Sequence, residues 1–373
     1  MKNPWTAKFI FAFILILALS ISYMSAQAAY RFNHFKGRPP IHRYGSVGNS
    51  PAGLTPDEIK KIYNLPTSGG NGTIAIVGAY DDIYIEKDLA VFDAQFNLPS
   101  CTTKNGCFEK HTMGKGRYNS GWAMETALDV EWAHVIAPQA KILLVEAKTP
   151  SGKNLLDAID YARKRPGVIA VSMSWGGAEF SDEISLDNHF KNSGNITFFA
   201  SSGDNGAGVS WPAVSPYVVA VGGTYLNLSK NGKLISETAW TGSGGGVSAY
   251  ESQPNYQSNY SIPKANGYRA IPDVSYDADP RSGFSIYHST GKSKKGWYVV
   301  GGTSAGAPQW AAIKSLGLSA DNEKFYSDKA AANDGNYFRD VKSGSNGDCG
   351  YYCRARRHYD YITGLGSPMT VKF

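Results

Sequence analysis

The chain has 373 residues, 42% of them hydrophobic and 18% charged. That is enough apolar material for a large core, and it excludes a disordered chain. The formal net charge of +6 comes without a lysine or arginine stripe, so nucleic-acid binding is excluded as a main role.

Lys2 and Lys8 precede an apolar stretch from Phe9 to about Ile21, and Ala26-Gln27-Ala28 follows. A basic start, a short apolar run and a small-x-small site predict a secretory signal peptide over residues 1–28. The alternative is an uncleaved membrane anchor, but the run falls short of the ~20 residues a span needs. No later segment is apolar enough to span, so the mature protein is expected to be soluble and extracellular. Residues 29–50 are polar, with Gly, Pro and Arg, and read as a short leader or flexible arm. The folded domain is expected over 51–373.

Order starts at "LTPDEIKKIYNLP" (54–66). Thr55 is an N-cap, Pro56 suits the first helical position, and Glu58 completes a capping box. Then "TIAIVGAY" (73–80), "KILLVEA" (141–147), "VIAVSMSW" (168–175), "ITFFASSG" (196–203) and "YVVAVGGT" (217–224) read as buried parallel strands. Helices are expected between them at about 86–96, 121–136, 153–164 and 182–193. The fold class is therefore α/β, a parallel sheet with helices on both faces. Cys101/Cys107 and Cys349/Cys353 form two close pairs; three connectivities are possible and local pairing is expected. No Cys/His spacing suggests zinc. Arg354, Arg356 and Arg357, the densest basic cluster, read as a solvated loop.

In such sheets the chemistry gathers at the carboxyl edge of the strands. Three strand ends are unusual: "SWGG" (174–177), "SSGDNGA" (201–207) and "GGTSAGAP" (301–308). Ser304 would sit at a strand-to-helix junction, among small residues that let a substrate backbone approach. Free helix N–H groups there suit an oxyanion; alternatively Thr303 or Ser304 is an N-cap. A nucleophilic serine needs a base. His34 and His42 lie in the leader, and His111, His189, His288 and His358 lack triad partners nearby. His134 is nine residues past Glu125, half a turn round the helix. The acids Glu125 and Asp129 are four positions apart in "WAMETALDVEW" (122–132), on one helix face. In an apolar setting they would share protons, and at least one pKa would rise. Glu125 would then accept the Ser304 proton, with Asp129 polarising it; the alternative is an acid stripe on a surface helix. Asp204 is either a loop-starter before Gly or, when protonated, a donor to an oxyanion.

These residues together resemble the sedolisin family of serine-carboxyl peptidases. The resemblance covers residues 54 to 368. It rests on "LTPDEIKKIYNLP", "WAMETALDVEWAHVIAPQAKILLVEA", "SMSWGGAE", "SSGDNGA", "PAVSPYVVAVGGT", "GGGVSAYE", "IPDVSYDADPRSG", "GGTSAGAPQWAA" and "YDYITGLGSP", in that order. It implies a subtilisin-like fold, Ser304 as nucleophile, Glu125 as base, Asp129 as its partner and Asp204 in the oxyanion hole. It further implies that the backbone of Ser174, Trp175 and Gly176 pairs with a substrate strand. One Ca²⁺ is implied on Asp340, Asp360 and the carbonyls of Val341, Arg356 and His358. Two departures stand out. The family's carbonyl positions are usually Gly, and here they are Arg356 and His358. The family's pro-region is long, whereas about 25 residues separate Ala28 from "LTPDE", so maturation without a large intramolecular chaperone is expected. Ser210 precedes Trp211-Pro212 where basic-preferring relatives carry an acid, so no Arg/Lys preference is expected. Four sequons occur, at Asn71, Asn195, Asn227 and Asn259.

The reading is a secreted, acid-active, monomeric serine-carboxyl endopeptidase acting on polypeptides, with no nucleic-acid or membrane partner. The alternative is an inactive peptidase fold that binds peptides at the cell surface.

Overall fold

In the computed structural model, which describes residues 32, 34–191, 196–291, 295–318, 320–327 and 337–369, the elements alternate as the sequence predicts. They run β1 (His42–Gly48), α1 (Pro56–Ile62), β2 (Thr73–Ala79), α2 (Ile85–Phe96), β3 (Phe108–Thr112), α3 (Ser120–Ile136), β4 (Lys141–Ala147), α4 (Gly152–Ala162), β5 (Val168–Met173), β6 (Thr197–Ser201), β7 (Val218–Leu228) and β8 (Leu234–Ala239). Then follow β9 (Gly246–Ser252), α5 (Asn255–Tyr260), β10 (Tyr268–Ile271), β11 (Val274–Asp277), β12 (Phe284–Ser289), β13 (Lys295–Gly301), α6 (Gly306–Ser315), α7 (Asn322–Ser327), β14 (Phe338–Arg339) and β15 (Ser367–Pro368). The signal segment 1–28 and the sequon at Asn195 lie outside the described residues.

The main sheet has the order β11-β7-β6-β5-β2-β4-β3, with β8 antiparallel beside β7. All other pairs in it are parallel. Residues alternate between two cores, which explains the unbroken apolar runs. Ile74, Ile76, Ile142 and Leu144 pack with α3 and α6. Ala75, Val77, Leu143 and Val145 pack with Leu155, Leu156 and Ile159 of α4. This is the α/β class expected from the sequence.

Thr55 and Glu58 form the predicted capping box of α1, with Glu58 Oε2 accepting from Thr55 N at 2.9 Å. β3 has no apolar run because it is an edge strand: only Phe108 is buried, so the sequence gives it little signal. The helix expected at 182–193 is a 3₁₀ segment over Glu183–His189. Both disulfides pair locally, Cys101–Cys107 and Cys349–Cys353.

The segment expected as a flexible arm differs most. Residues His42–Gly48 form β1, antiparallel to β13, with His42 opposite Gly301. Phe35 is buried. The arm is built onto the domain because open backbone edges on both sides of it supply partners, and nothing local in the sequence announces those edges.

Candidate active site

The side chain of Asn119 caps α3, accepting from Gly121 N and Trp122 N at 3.1 Å each. The helix carries Glu125 and Asp129 one turn apart, each 2% exposed. The acids therefore face inward, and the surface-stripe alternative is excluded. Ser304 is fully buried in the 3₁₀ turn Thr303–Ala305 between β13 and α6. Gly302, at φ 126°, makes that turn possible. Ser174, just past β5, donates from Oγ to Asp129 Oδ1 at 2.7 Å. Ser304 and Asp129 both adjoin the Glu125 carboxyl closely enough to perturb it. Neither completes a hydrogen bond with it, and both Glu125 oxygens are buried without a partner. The Ser304 hydroxyl donates instead to the Pro40 carbonyl at 2.9 Å. Burial pushes Glu125 far above the ordinary carboxylate range, and the neighbouring Asp129 pushes it further. Burial also raises Asp129, opposed by the Ser174 hydrogen bond and by the adjoining Glu125 carboxyl.

Asp204 enters from the loop after β6. Its Oδ1 accepts from Thr303 N at 2.9 Å and from Thr303 Oγ1 at 2.7 Å. Its Oδ2 lies 3.1 Å from His42 Nε2. A Cβ placed on Gly302 would stand 2.5 Å from Asp204 Oδ2 and 2.0 Å from the Pro40 oxygen. Asp204 Oδ2 and this carbonyl thus converge on one glycine. Burial raises Asp204, opposed by His42 and the two Thr303 donors.

The structure thus brings Ser304, Glu125, Asp129 and Asp204 together, and Ser174, Trp175 and Gly176 line the same region. Gly176 pairs through its backbone, with Arg38 N donating to Gly176 O at 3.0 Å and Gly176 N to Arg38 O at 3.2 Å. Trp175 is fully buried, its indole donating to Val77 O at 2.9 Å. A cleft of about 900 Å³ is lined by Lys36, Arg38, Pro40, Gly176, Glu179 and Asp204, among others. Four contributions were missed from the sequence: the Ser174 hydroxyl on Asp129, the Thr303 anchor of Asp204, the leader's Pro40, and His42. Among the described residues no imidazole hydrogen-bonds Ser304; His134 Nε2 instead meets Pro99 O at 2.7 Å.

The residues named for a cation sit near the C-terminus. Asp360 Oδ1 accepts from Ile362 N and Thr363 N at 2.8 and 2.9 Å. Its Oδ2 accepts from Arg356 N and Thr363 Oγ1 at 3.0 Å each. Asp340 Oδ2 accepts from His358 N at 3.1 Å, while Asp340 Oδ1 is buried without a partner. Two carboxylates with neighbouring carbonyls are hard oxygen donors of the kind Ca²⁺ takes. The orphaned Asp340 oxygen fits that set, and the N–H donors on Asp360 hold its carboxylate in place. His358 occupies a left-handed turn at φ 64°, which explains why glycine suits this position.

Fold and site together define a subtilisin-like α/β protein with a buried serine ringed by carboxyl groups. A model of the "Subtilase family" matches residues 103–332. Sedolisin of Pseudomonas sp. (strain 101) is 31% identical, over 84% of this chain and 60% of its own. Kumamolisin of Bacillus sp. (strain MN-32) is 30% identical, over 88% of this chain and 64% of its own. A solved structure of Pseudomonas sedolisin, a serine-carboxyl proteinase complexed with two molecules of pseudo-iodotyrostatin, aligns with a TM-score of 0.69 at 29% identity. It covers 88% of this chain and 97% of that one. The chain belongs to the subtilase family, and within it to the sedolisin and kumamolisin group of serine-carboxyl peptidases. It spans about three-fifths of the length of the curated relatives it matches.

Proposed function

We propose that this protein is a secreted, acid-active serine-carboxyl endopeptidase. One observation carries the reading: Ser304 is buried against a pair of inward-facing acids, with a third acid converging on the carbonyl that Ser304 touches. Ser304 Oγ attacks a peptide carbonyl and Glu125 accepts its proton. Asp129, held by Ser174, shares a proton with Glu125, so the pair carries one charge over a wide pH range. Asp204 stabilises the oxyanion when protonated, with Thr303 holding its Oδ1 and His42 flanking the Oδ2 that carries the proton. The backbone of Ser174–Gly176 holds the substrate as an added strand. Leaving-group protonation by Glu125, then hydrolysis of the acyl-enzyme by water, completes the cycle.

Residues 1–28 act as the signal for export, and the two local disulfides suit an oxidising destination. No helix among the described residues is long and apolar enough to cross a membrane. The protein works as a monomer on polypeptides. Asp340 and Asp360, with the carbonyls of Val341, Arg356 and His358, would hold one structural Ca²⁺.

Digestion of a random peptide library across pH, read by mass spectrometry, tests the reading. Cleavage should peak in the acid range, where Asp204 keeps its proton and the Glu125–Asp129 pair carries a single charge. Glu125→Gln should remove turnover by at least about a hundredfold and leave the fold intact. A rate peaking above about pH 7, or a Glu125→Gln variant at near-full rate, overturns the mechanism. An intact, folded protein that binds peptides and cleaves none favours the inactive binder.

A further inference from the structure

Asp204 is carried by a loop that has little of its own to hold it. Gly203, Gly206 and Gly208 have positive φ, at 109°, 73° and 133°, and glycine loses the most freedom on ordering. The loop leans on residues 242–245, "GSGG", which are glycine-rich as well. Gly244 N donates to Gly203 O at 2.7 Å, and Gly206 N donates to Gly242 O at 2.9 Å. Gly208 and Gly245 exchange both hydrogen bonds, at 2.9 and 2.7 Å. A Cβ on Gly244 would stand 2.2 Å from Ser202 O, so glycine is what lets the two backbones approach. Between them the two segments bring few side chains to pack together.

A third element spans both. Residues 345–354 form a loop near the C-terminus, closed by the Cys349–Cys353 disulfide and by an antiparallel bridge between Ser345 and Arg354. Gly347 to Gly350 are exposed, yet Asn346 is only 5% exposed. Asn346 O accepts from Ala207 N at 3.0 Å, and Asn346 Nδ2 donates to Ser243 O at 2.8 Å. One residue thus ties the Asp204 loop to the segment behind it. A Cβ on Gly206 would stand 2.6 Å from Asn346 O, which marks how closely the backbones meet there. Both ends of the tie are anchored. The Ser243 hydroxyl donates to Ile362 O at 2.9 Å and accepts from Gly223 N at 2.8 Å. Asn346 N donates to the carbonyl of the buried Cys353 at 3.3 Å. A Cβ on Gly347 would lie 3.0 Å from Cys353 Sγ and 3.5 Å from Ala207 Cβ, so the disulfide packs close to the Asp204 loop.

We propose that Asn346 is a positioning residue for Asp204, and that the disulfide-closed loop 345–354 braces the oxyanion site. This rests on the peptidase reading above. Thr303 fixes one oxygen of Asp204, and Asn346 fixes the backbone that delivers the carboxyl group. A drift of about 1 Å in that backbone spoils the aim of the oxyanion donor and costs up to about a hundredfold in rate. Peptide held on the Gly176 backbone is untouched by it, so the loss falls on kcat.

Hydrogen exchange read by mass spectrometry and steady-state kinetics test this together. Exchange is measured in Ser304→Ala, which cannot digest itself. Adding Asn346→Ala should speed amide exchange at 203–208 at least about tenfold and leave α3 unchanged. With Ser304 intact, Asn346→Ala should lower kcat about ten- to a hundredfold and keep KM within about twofold. Combined with Asp204→Ala it should cost nothing more, because the group it positions is gone. Cys349→Ser with Cys353→Ser should move exchange and kcat in the same directions. Asn346→Ser also removes the tie and carries the test should the alanine chain not fold. Unchanged exchange at 203–208 overturns the brace. A loss confined to KM, or a full further loss in the Asp204→Ala chain, overturns the assignment to Asp204. A double serine chain that behaves as native removes the disulfide from the brace. If the native chain cuts no peptide, the peptidase reading falls, and exchange at 203–208 still decides whether Asn346 holds that loop.

Discussion

Asp204 offers the sharpest test of why this site would need acid. Thr303 N–H and O–H both point at Asp204 Oδ1, so an asparagine in its place should put its own Oδ1 there and its amide nitrogen where Oδ2 stands. Asp204 Oδ2 and the carbonyl oxygen at Ser304 lie within 2.5 Å of the same point beside Gly302. An ionised Asp204 would therefore face the oxyanion from no more than about 4.5 Å. At an effective dielectric of about 20 that repulsion is about 4 kcal/mol, about a thousandfold in rate. A protonated Asp204, or the side-chain amide in Asp204→Asn, donates instead. The assay is kcat/KM on a short peptide from about pH 3 to 8. Asp204→Asn should stay within about tenfold of the native rate in acid, and its alkaline limb should move to higher pH. Asp204→Ala should lose about a hundred- to a thousandfold at every pH, as the loss of one oxyanion donor does. If Asp204→Asn keeps the native alkaline limb, titration of Asp204 does not end activity and the argument fails.

Ser174→Ala should raise the pKa of Asp129 by removing its 2.7 Å donor, shift the acid limb upward and cut kcat about tenfold; an unchanged pH profile would deny Ser174 this positioning role. Burial lifts Asp82 and Glu146 to about 7 and Asp88 to about 6. The folded chain therefore holds protons that the unfolded chain has released, and stability should fall as pH rises from about 4 to about 7. Denaturant midpoints of Ser304→Ala, which avoids self-digestion, check this; a midpoint that climbs over that window contradicts it. Chelation with EDTA should lower Tm, and added Ca²⁺ should restore it in the native chain but not in Asp360→Asn, because a ligand bound only by the folded state stabilises it. A Tm indifferent to chelator removes the cation from the proposal.

Much of this protein is written locally. The capping box at Thr55 and Glu58, the apolar runs at β2, β4 and β5, and the four-residue spacing of Glu125 and Asp129 all depend on short-range periodicity. Burial on both faces of the sheet makes those runs conspicuous, so the α/β class and three strand ends could be read directly. β3 escaped because an edge strand needs no apolar run. Tertiary structure alone decided which atoms meet. The Ser174 hydroxyl reaches Asp129 across 45 residues of sequence, and the Pro40 carbonyl reaches Ser304 across 264. The leader's path was hidden for the same reason: a strand held by backbone hydrogen bonds to distant edges needs no side-chain pattern, and its polar, Gly- and Pro-rich composition reads as loop. Periodicity records which face of an element is buried, whereas the pairing of open backbone edges is settled only when the whole chain has closed around them.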